Sequence, residues 1–404
     1  MAKYFNNRRR PQLKYKGNPN SLANEIKELR DTLENSFDSV ESFELKAPQI
    51  AYSEDFDGND IGERINNALA YLNGLGGGTL YLPPGDHVLT TQINFNGMEK
   101  IRMSGEGATN LQSNIEGFAI EFIGSYYCMI ERLTITCSYN NIAPYSAESP
   151  YYLENVNGIR LASTNAPTSQ NNSLENVQIY RADIGLQIGQ CQNEDGSGAQ
   201  YQADHFYIRS VIIAAHRPVL FRSQNGGDYS DIQQLRIWCV EDVLGNLGGT
   251  AMDLRNVGAV NLHNTVMNGA DVGIHVSERW HSQIYINGFN LEQAVDPIGL
   301  LVDGYASSTS PYPIALHNWN GSKIQVNANV PFSPAVVKPI TFFGGIIGKL
   351  EVNANGVNIM AIGACVVDQA EITMNGNGNI YLTSCYVYGT ATLNELNGGS
   401  IIQS

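Results

Sequence analysis

Two acidic residues in the second half of the chain form a candidate pair for glycoside hydrolysis. Asp228 and Glu278 both lie in polar segments that follow apolar ones. In such reactions one carboxyl group protonates the leaving oxygen, and the other activates water or attacks the sugar. The two groups lie about 6.5–9.5 Å apart in inverting enzymes and about 5–5.5 Å apart in retaining ones. These residues are the predicted catalytic pair, with Asp231 and Asp303 as substitutes.

Aromatic and polar residues near this pair fit the needs of a sugar-binding site. Aromatic rings pack against the apolar faces of sugars, while carboxylates and guanidinium groups hydrogen-bond their hydroxyls. Two of the three tryptophans lie here, and both are expected to present ring faces to bound sugar. Ordinary surface polarity and packing between subunits explain the same residue types equally well. The predicted substrate-binding residues are Tyr229, Asp231, Arg279, Trp280, Asp303 and Trp319.

Repeated apolar strands must position these residues. A first set comprises IRM at 101–103, LTI at 133–135, VQI at 177–179, LRI at 235–237, VNL at 260–262, IYI at 284–286 and IQV at 324–326. A second set begins at Gly117, Gly158, Gly185, Pro218, Gly273 and Gly299. Near the carboxyl end, Asn358, Asn379 and Ser400 open similar strands at equal spacings. Repeats of this length with Asn and Gly turns predict an all-β, right-handed parallel β-helix solenoid. The competing solenoid is a leucine-rich repeat, but the L-x-x-L-x-L-x-x-N pattern of that repeat is absent from the sequence.

The connections after the second strand set differ in length. Segments 191–204, 223–231 and 303–322 are long, whereas 256–259 is very short. Long loops on either side of a short one predict a groove across the stacked coils. Functional residues concentrate on loops that a rigid scaffold holds in place. Residues one or two coils apart lie about 5 or 10 Å apart, so a β-helix provides carboxylate pairs readily.

One stretch near the start of the repeats combines a helix, a glycine turn and a strand. Asp60 and Glu63 are placed as in a capping box, and Ile65, Ala68 and Leu69 begin an apolar helical face. Gly76-Gly77-Gly78 ends the helix, and Thr79-Leu80-Tyr81-Leu82 leads into Pro83-Pro84-Gly85. This stretch resembles the opening of the pectate-lyase-like superfamily of right-handed parallel β-helices, especially its phage tailspike branch.

The resemblance implies a tailspike that recognises, and hydrolyses, a host cell-surface polysaccharide during adsorption. The alternative is a virion fibre or adaptor that binds its glycan receptor without cleaving it. β-Elimination of a uronic acid is less favoured, because the clustered aspartates of a calcium-dependent pectate lyase are absent. The N-T-D, D-D and G-H-G signatures of polygalacturonases are absent too, so enzymatic activity stays an open question at this point.

The first 50 residues differ from the rest and form a separate predicted region, with the β-helix body at 51–404. Residues 1–20 carry Arg8, Arg9, Arg10, Lys14 and Lys16 and predict an arm that docks to other virion tail proteins. A heptad seam follows at Leu22, Ile26, Leu29, Leu33, Val40 and Phe43. It predicts a short helical neck that supports a homotrimer. A single helix packed on its own domain is the alternative, as is a solvated tail for the arm.

Charge and composition limit the classes of partner, cellular location and cofactor that fit this chain. The net charge of −15 argues against nucleic acid as the main partner. No apolar stretch is long enough to insert in a membrane, and the amino terminus lacks a secretory signal. The six cysteines show no paired spacing, which indicates reduced thiols and assembly in the host cytoplasm before incorporation into the virion tail. No cofactor or metal is expected, and the loop with Asp55, Asp57 and Asn59 lacks the later ligands of a calcium site.

A class of aspartates recurs between the strand sets and has a structural interpretation. Asp183, Asp242, Asp271 and Asp296 occupy this slot, and His216 takes the same place in another coil. Aspartate accepts hydrogen bonds from the backbone two residues on, so these residues are predicted to form turns.

Overall fold

The computed structural model describes most of the body of the protein. The described residues are 49–139, 151–162, 169–191, 200–201, 203–226, 230–277, 280, 282–292, 296–304, 314–320, 322–327, 340–354 and 358–404. All of them belong to one unit, Gln49–Ser404. The predicted basic arm at 1–20 and the predicted helical neck at 21–43 lie outside the described residues. Among the described residues, no helix has the length and apolar composition needed to cross a bilayer.

One α-helix, α1 (Ile61–Gly74), occurs in the described part of the chain and covers the first coils, as predicted. Asp60 caps it by accepting a hydrogen bond from the Glu63 backbone N–H at 2.9 Å. The Glu63 carboxylate reaches back to the backbone N–H of Asn59 at 2.7 Å, which completes a capping box displaced by one residue. Asp60 also accepts from the backbone N–H of Thr90 at 2.7 Å, so the cap ties the helix to the chain after the next strand. The apolar face of the helix, which includes Leu69 and Leu72, is fully buried.

The strands pair in parallel and form three stacks, called sheets 1, 2 and 3 here. Together they make a right-handed parallel β-helix, which confirms the predicted fold class. Several long strands bend from one sheet into the next. A short 3-10 helix (Ser53–Asp55) and small pairings at Ser169–Gln170 with Ala203–Asp204, and at Gln190–Cys191 with Gln200–Tyr201, lie outside the stacks.

Sheet 1 contains one strand from each coil. Its members are Ile50–Tyr52, Gly78–Leu82, Ile101–Gly105, the starts of Met129–Cys137 and Ser173–Ile188, Tyr207–Arg209, Ser230–Gln233, the starts of Val260–Asn268 and Ile284–Glu292, Ile314–His317, Ile340–Phe343, Asn358–Ile362, Asn379–Thr383 and Ser400–Gln403.

Sheet 2 follows each sheet 1 strand after a corner. Its members are Gly85–Leu89, Thr109–Ser113, the end of Met129–Cys137, the middle of Ser173–Ile188, the start of Ile212–Gly226, Arg236–Cys239, the ends of Val260–Asn268 and Ile284–Glu292, the starts of Ile346–Asn353 and Cys365–Asn375, and Tyr386–Val387.

Sheet 3 completes each coil. Its members are Ile93–Asn94, Gly117–Ile123, Val156–Ala162, the ends of Ser173–Ile188 and Ile212–Gly226, Thr250–Val257, Val272–Val276, Ile298–Val302, Lys323–Val326, the ends of Ile346–Asn353 and Cys365–Asn375, and Thr392–Leu396.

The corner from sheet 1 to sheet 2 is narrow in most coils because a residue in the left-handed backbone region makes the turn. Polar residues or glycine occupy it, with φ between 51° and 81°, at Arg132, Asn176, Ser210, Gln234, Asn264, Gly288, Asn318, Gly344, Gly345, Gly363 and Ser384. Asparagine and glycine tolerate this region best. Sheet 1 and sheet 2 are therefore held at a constant angle, and length variation falls on the other two corners.

The second predicted strand set is confirmed as a single stack. All six of its members pair within sheet 3, for example Leu186 with Ile159 and with Val219. The interpretation of the first set as one stack is wrong. Ile101 lies in sheet 1, Ile179 in sheet 2 and Ile324 in sheet 3. Apolar-polar-apolar triplets occur in all three sheets, so local sequence does not distinguish them.

The equal spacing near the carboxyl end is confirmed. Asn358 pairs with Asn379, and Asn379 pairs with Ser400. The amide of Asn379 donates to Oδ1 of Asn358 at 3.2 Å across a spacing of 21 residues. Identical side chains at identical positions therefore support one another from coil to coil.

The aspartates that recur between the strand sets do not all have the same structural role. Asp242 accepts from the backbone N–H of Leu244, two residues on, at 2.9 Å, as predicted for a turn residue. Asp271 instead accepts from the Gly249 backbone of the preceding coil at 3.0 Å. Asp183 is not in a turn, because it lies inside the strand Ser173–Ile188.

Candidate active site

Three consecutive coils of sheet 3 present a cluster of carboxylates and an imidazole on the outer surface. Asp253 lies on the strand Thr250–Val257 and pairs in register with His275 of the next coil. Asp303 follows the strand Ile298–Val302 one coil further on. The connection from the Asp253 strand to the next strand, between Val257 and Val260, is short, as expected from the sequence.

The Asp253 side chain leans toward the middle coil. Its Oδ1 accepts a hydrogen bond from Ser277 Oγ at 2.8 Å, and its Oδ2 accepts from Arg255 Nε at 2.7 Å. Only 11% of the side chain is exposed. This carboxylate is therefore fixed in direction by one neighbour on its own strand and one on the next coil.

Asp303 leans toward the same middle coil from the other side. Its Oδ2 lies 2.8 Å from His275 Nε2, and its Oδ1 accepts from Asn327 Nδ2 at 3.0 Å. A carboxylate only accepts hydrogen bonds, so Nε2 carries the proton in this contact. With 38% of its side chain exposed, Asp303 is the more accessible of the two acids.

The two carboxyl groups converge because each contacts the middle strand. Their partners there, His275 and Ser277, are two residues apart, which corresponds to about 7 Å along a strand. Chemically, the cluster brings two carboxyl groups and an imidazole together on neighbouring coils, which are residue types that general acid–base catalysis uses.

A line of amides extends this polar surface toward the carboxyl end. Asn353 Nδ2 donates to Oδ1 of Asn327 at 3.4 Å, and Asn375 Nδ2 donates to Oδ1 of Asn353 at 3.2 Å. Sequence reasoning missed Asp253, His275 and this amide line. Asn353 and Asn375 end their sheet 3 strands, and Asn327 directly follows one, so a polar residue recurs at that place in the sequence.

Four of the predicted site residues lie outside the described residues. They are Asp228, Tyr229, Glu278 and Arg279. In sequence, the first two follow the strand ending at Gly226, and the other two follow Ser277 directly. Their assignment to catalysis and binding stays a prediction.

The two tryptophans are buried, so the prediction that their ring faces are open to sugar is wrong. Trp280 is 0% exposed and bridges to Val257, and Trp319 is 2% exposed. The Trp319 indole stacks on Phe289 with ring centroids 4.6 Å apart. A Cβ on Gly299 would lie 2.7 Å from Trp319 Cζ2, so glycine at that position makes room for the ring. The third tryptophan, Trp238, is partly exposed on the outer side of sheet 2.

Two of the supposed long connections contain strands, which explains these errors. The segment 303–322 includes the sheet 1 strand Ile314–His317, so Trp319 follows the left-handed corner at Asn318 and enters the core. In the segment 223–231, one strand continues to Gly226 and the next begins at Ser230. Asp231 is therefore a sheet 1 residue and does not share the groove with Asp303.

Metal and thiol chemistry find no support within the described ranges. No group of three or more His, Cys, Asp or Glu residues suited to a metal ion occurs there. Cys128, Cys137, Cys239, Cys365 and Cys385 are free thiols. Burial raises the pKa of Cys137 and of Cys239 to about 12, so both thiols stay protonated at neutral pH.

Comparisons with known proteins identify the fold. No protein-family model matches the chain, and no curated protein sequence matches it. The chain is similar to the A-module of the mannuronan C-5 epimerase AlgE6 from Azotobacter vinelandii, with 12% identity, a TM-score of 0.50, and coverage of 87% of this chain and 99% of that chain.

Two further solved structures are similar at lower scores. The endo-xylogalacturonan hydrolase from Aspergillus tubingensis has 11% identity, a TM-score of 0.46, and coverage of 88% and 93% of the two chains. The surface adhesin PfbA of Streptococcus pneumoniae has 11% identity, a TM-score of 0.45, and coverage of 87% and 91%. At these identities a likeness concerns the fold alone. The chain shares the parallel β-helix fold.

Proposed function

We propose that this parallel β-helix binds a polysaccharide in the groove over sheet 3 and hydrolyses it there. The observation that carries the proposal is the convergence of Asp253 and Asp303 on the middle strand with His275 and Ser277. One carboxyl group protonates the glycosidic oxygen and the other activates water. The exposed carboxyl of Asp303 is the one that substrate reaches first. The amide line beginning at Asn327 supplies hydrogen bonds to further sugar hydroxyls.

The finer role we propose is that of a phage tailspike acting on a host cell-surface polysaccharide. The stretch from Gly76 to Gly85 and the basic residues at 8–16 support it. In this role the amino-terminal arm docks to other virion tail proteins, the heptad seam holds a homotrimer, and the protein resides in the virion tail.

A binding fibre without hydrolytic activity is the second candidate function. It is favoured by the number of hydrogen bonds that hold both carboxylates, since Asp253 has two protein partners and Asp303 has two. Carboxylates engaged in this way also occur in purely structural networks. Substrate cleavage distinguishes the two functions directly.

The test is release of reducing ends from a panel of purified capsular and lipopolysaccharide O-chain polysaccharides, using the full chain. We expect cleavage by the wild type, with loss of at least a hundredfold in Asp303→Asn and Asp253→Asn. Asp86→Asn is the matched control, because that aspartate lies on the first sheet 2 strand and only bonds Asn110. An ultraviolet-absorbing unsaturated product would contradict hydrolysis. Normal cleavage by Asp303→Asn would refute the assignment, and binding without any cleavage would favour the fibre.

A further inference from the structure

A strip of aromatic and polar side chains runs along the outer surface of sheet 1, away from the groove. We define the sheet 1 strip as Tyr207, Asp231, His263, Tyr285, His317 and Phe343. Each comes from a successive coil, as the strand pairings show. Tyr207, Asp231 and Tyr285 lie in one outward column of the sheet, and His263, His317 and Phe343 lie in the neighbouring outward column. The strip is therefore continuous along the solenoid axis for about six coils, at about 4.8 Å per coil.

The rings of the strip follow one another at the spacing of the coils. Ring centroids are 5.4 Å apart between His263 and Tyr285, 4.8 Å between Tyr285 and His317, and 4.7 Å between His317 and Phe343. Phe343 at one end is 39% exposed, and Tyr207 at the other is 49% exposed. Burial lowers the pKa of His317, which keeps that imidazole uncharged at neutral pH.

A cleft of about 320 Å³ marks the amino-terminal end of the strip. Its lining includes Ser173, Glu175, Tyr207, Arg209, Asp231 and Gln233. Gln233 Nε2 donates to Oδ2 of Asp231 at 2.9 Å. Oδ1 of Asp231 is buried and has no hydrogen-bond partner among the described residues, and His263 Nε2 is 3.8 Å away. The Asp231 side chain as a whole is 30% exposed at the cleft, so its accessible part can accept a hydrogen bond from a bound hydroxyl.

The chemistry of the strip favours a glycan over a protein partner. Both signs of charge line the cleft, through Glu175 and Asp231 against Arg209, whereas the core of a protein interface is depleted of charged groups. Aromatic edges and polar tips recur at one per coil, which matches a polymer with a short repeating unit. A sugar chain has that repeat, with apolar C–H faces for the rings and hydroxyls for the polar atoms.

We propose that the sheet 1 strip is a second glycan-binding surface, which holds an extended oligosaccharide parallel to the solenoid axis with about one sugar unit per coil. It is separate from the groove over sheet 3, where Asp303 lies. Asp231 and the cleft bind the hydroxyls of one end of the chain. The rings of Tyr285, His317 and Phe343 contact the following units.

The experiment measures binding of full-length protein to an array of bacterial capsular and O-chain polysaccharides. The best-bound polysaccharide is then partially hydrolysed, and oligosaccharides of two to eight units are titrated by calorimetry. We expect affinity to increase with each added unit up to about six and then to level off. Tyr285→Ala should weaken binding of the six-unit oligosaccharide about tenfold. Tyr285→Phe, which keeps the ring, should retain most of the affinity.

Tyr381→Ala is the matched control, because Tyr381 occupies the same outward column as Tyr285 two coils beyond Phe343. It should bind the six-unit oligosaccharide like the wild type. The same tenfold loss should appear when Tyr285→Ala is combined with Asp303→Asn, which removes cleavage, so failure of the assignment over sheet 3 and failure of the strip are distinguishable. Equal losses in Tyr285→Ala and Tyr381→Ala, affinity independent of length, or no binding to the array would overturn the proposal. So would a Tyr285→Ala defect in self-association without a defect in glycan binding.

Discussion

Asp183 is the buried carboxylate with the strongest electrostatic support, and its removal is the sharpest test of how the coils are held together. Only 6% of its side chain is exposed. Its Oδ1 lies 3.0 Å from His216 Nδ1, and its Oδ2 accepts from Arg217 Nη2 at 2.9 Å and from the Asn155 backbone at 3.0 Å. Burial raises the pKa of this carboxyl, but the hydrogen bonds from His216, Arg217 and Asn155 outweigh it and lower the pKa from 3.8 to about 2.

The lowered pKa fixes both the size and the direction of the pH dependence. A shift of this size corresponds to about 2 kcal/mol of unfolding free energy. Because the folded-state pKa of Asp183 is below its unfolded value, the contribution is complete above about pH 4. It is lost as the pH falls toward 2. Asp183→Asn removes the charge and leaves Arg217 without its ionic partner, so the variant should be about 2–4 kcal/mol less stable at pH 7.

Chemical denaturation followed by circular dichroism, with wild type and variant compared at several pH values, measures this effect. Other carboxylates cancel in the difference between the two proteins. The difference should shrink by more than half between pH 7 and about pH 2.5. Asp271→Asn is the control, since Asp271 is exposed and bonds only the Gly249 backbone in this structure. A difference that stays constant across this pH range would refute the electrostatic account.

Four further predictions concern the core, the site and the assembly. Trp319→Ala should destabilise the protein by about 3–5 kcal/mol in thermal unfolding, and a loss below 1 kcal/mol would contradict its burial against Phe289. Glu278→Gln and Asp228→Asn should retain sugar release, because Asp253 and Asp303 supply both carboxyl groups in the proposed reaction; loss of release with retained glycan binding would assign catalysis to Glu278 and Asp228 instead. Mass photometry should show a trimer, and a stable monomer at micromolar concentration would disprove the assembly. Deletion of residues 1–20 should leave that trimer intact but prevent incorporation into virions. Normal incorporation of the truncated protein would show that the arm is only a solvated tail.

The opening of the body was predictable because its determinants are local. The capping residues Asp60 and Glu63, the apolar helical face and the glycine stop act within a few residues of one another. The strand Gly78–Leu82 then follows where the sequence indicated. The repeat at Asn358 and Asn379 was predictable for a similar reason, since equal coil lengths leave only one register.

The site was harder to predict because its geometry depends on which coil each strand enters. Local sequence does not distinguish the sheet 1 strand Ile314–His317 from the connections around it. For this reason the sequence predicts a loop at Trp319, although that residue lies in the core. Asp231 was assigned to the groove for the same reason. Asp253 and His275 become neighbours only through pairing of strands separated by a coil. Long-range register, and not residue type, determines which acids share a surface.

Because the coils near the carboxyl end have equal length, this part of the chain can be lengthened by whole coils. Because Asn358, Asn379 and Ser400 are in register at 21-residue intervals, a tandem copy of residues 358–378 would present the same pairing positions to both neighbours. Each copy would lengthen the solenoid by about 4.8 Å. The cluster of Asp253, His275 and Asp303 and the sheet 1 strip precede this segment and would keep their geometry. Gene duplication could therefore adjust the reach of the molecule in fixed steps, independently of what it binds.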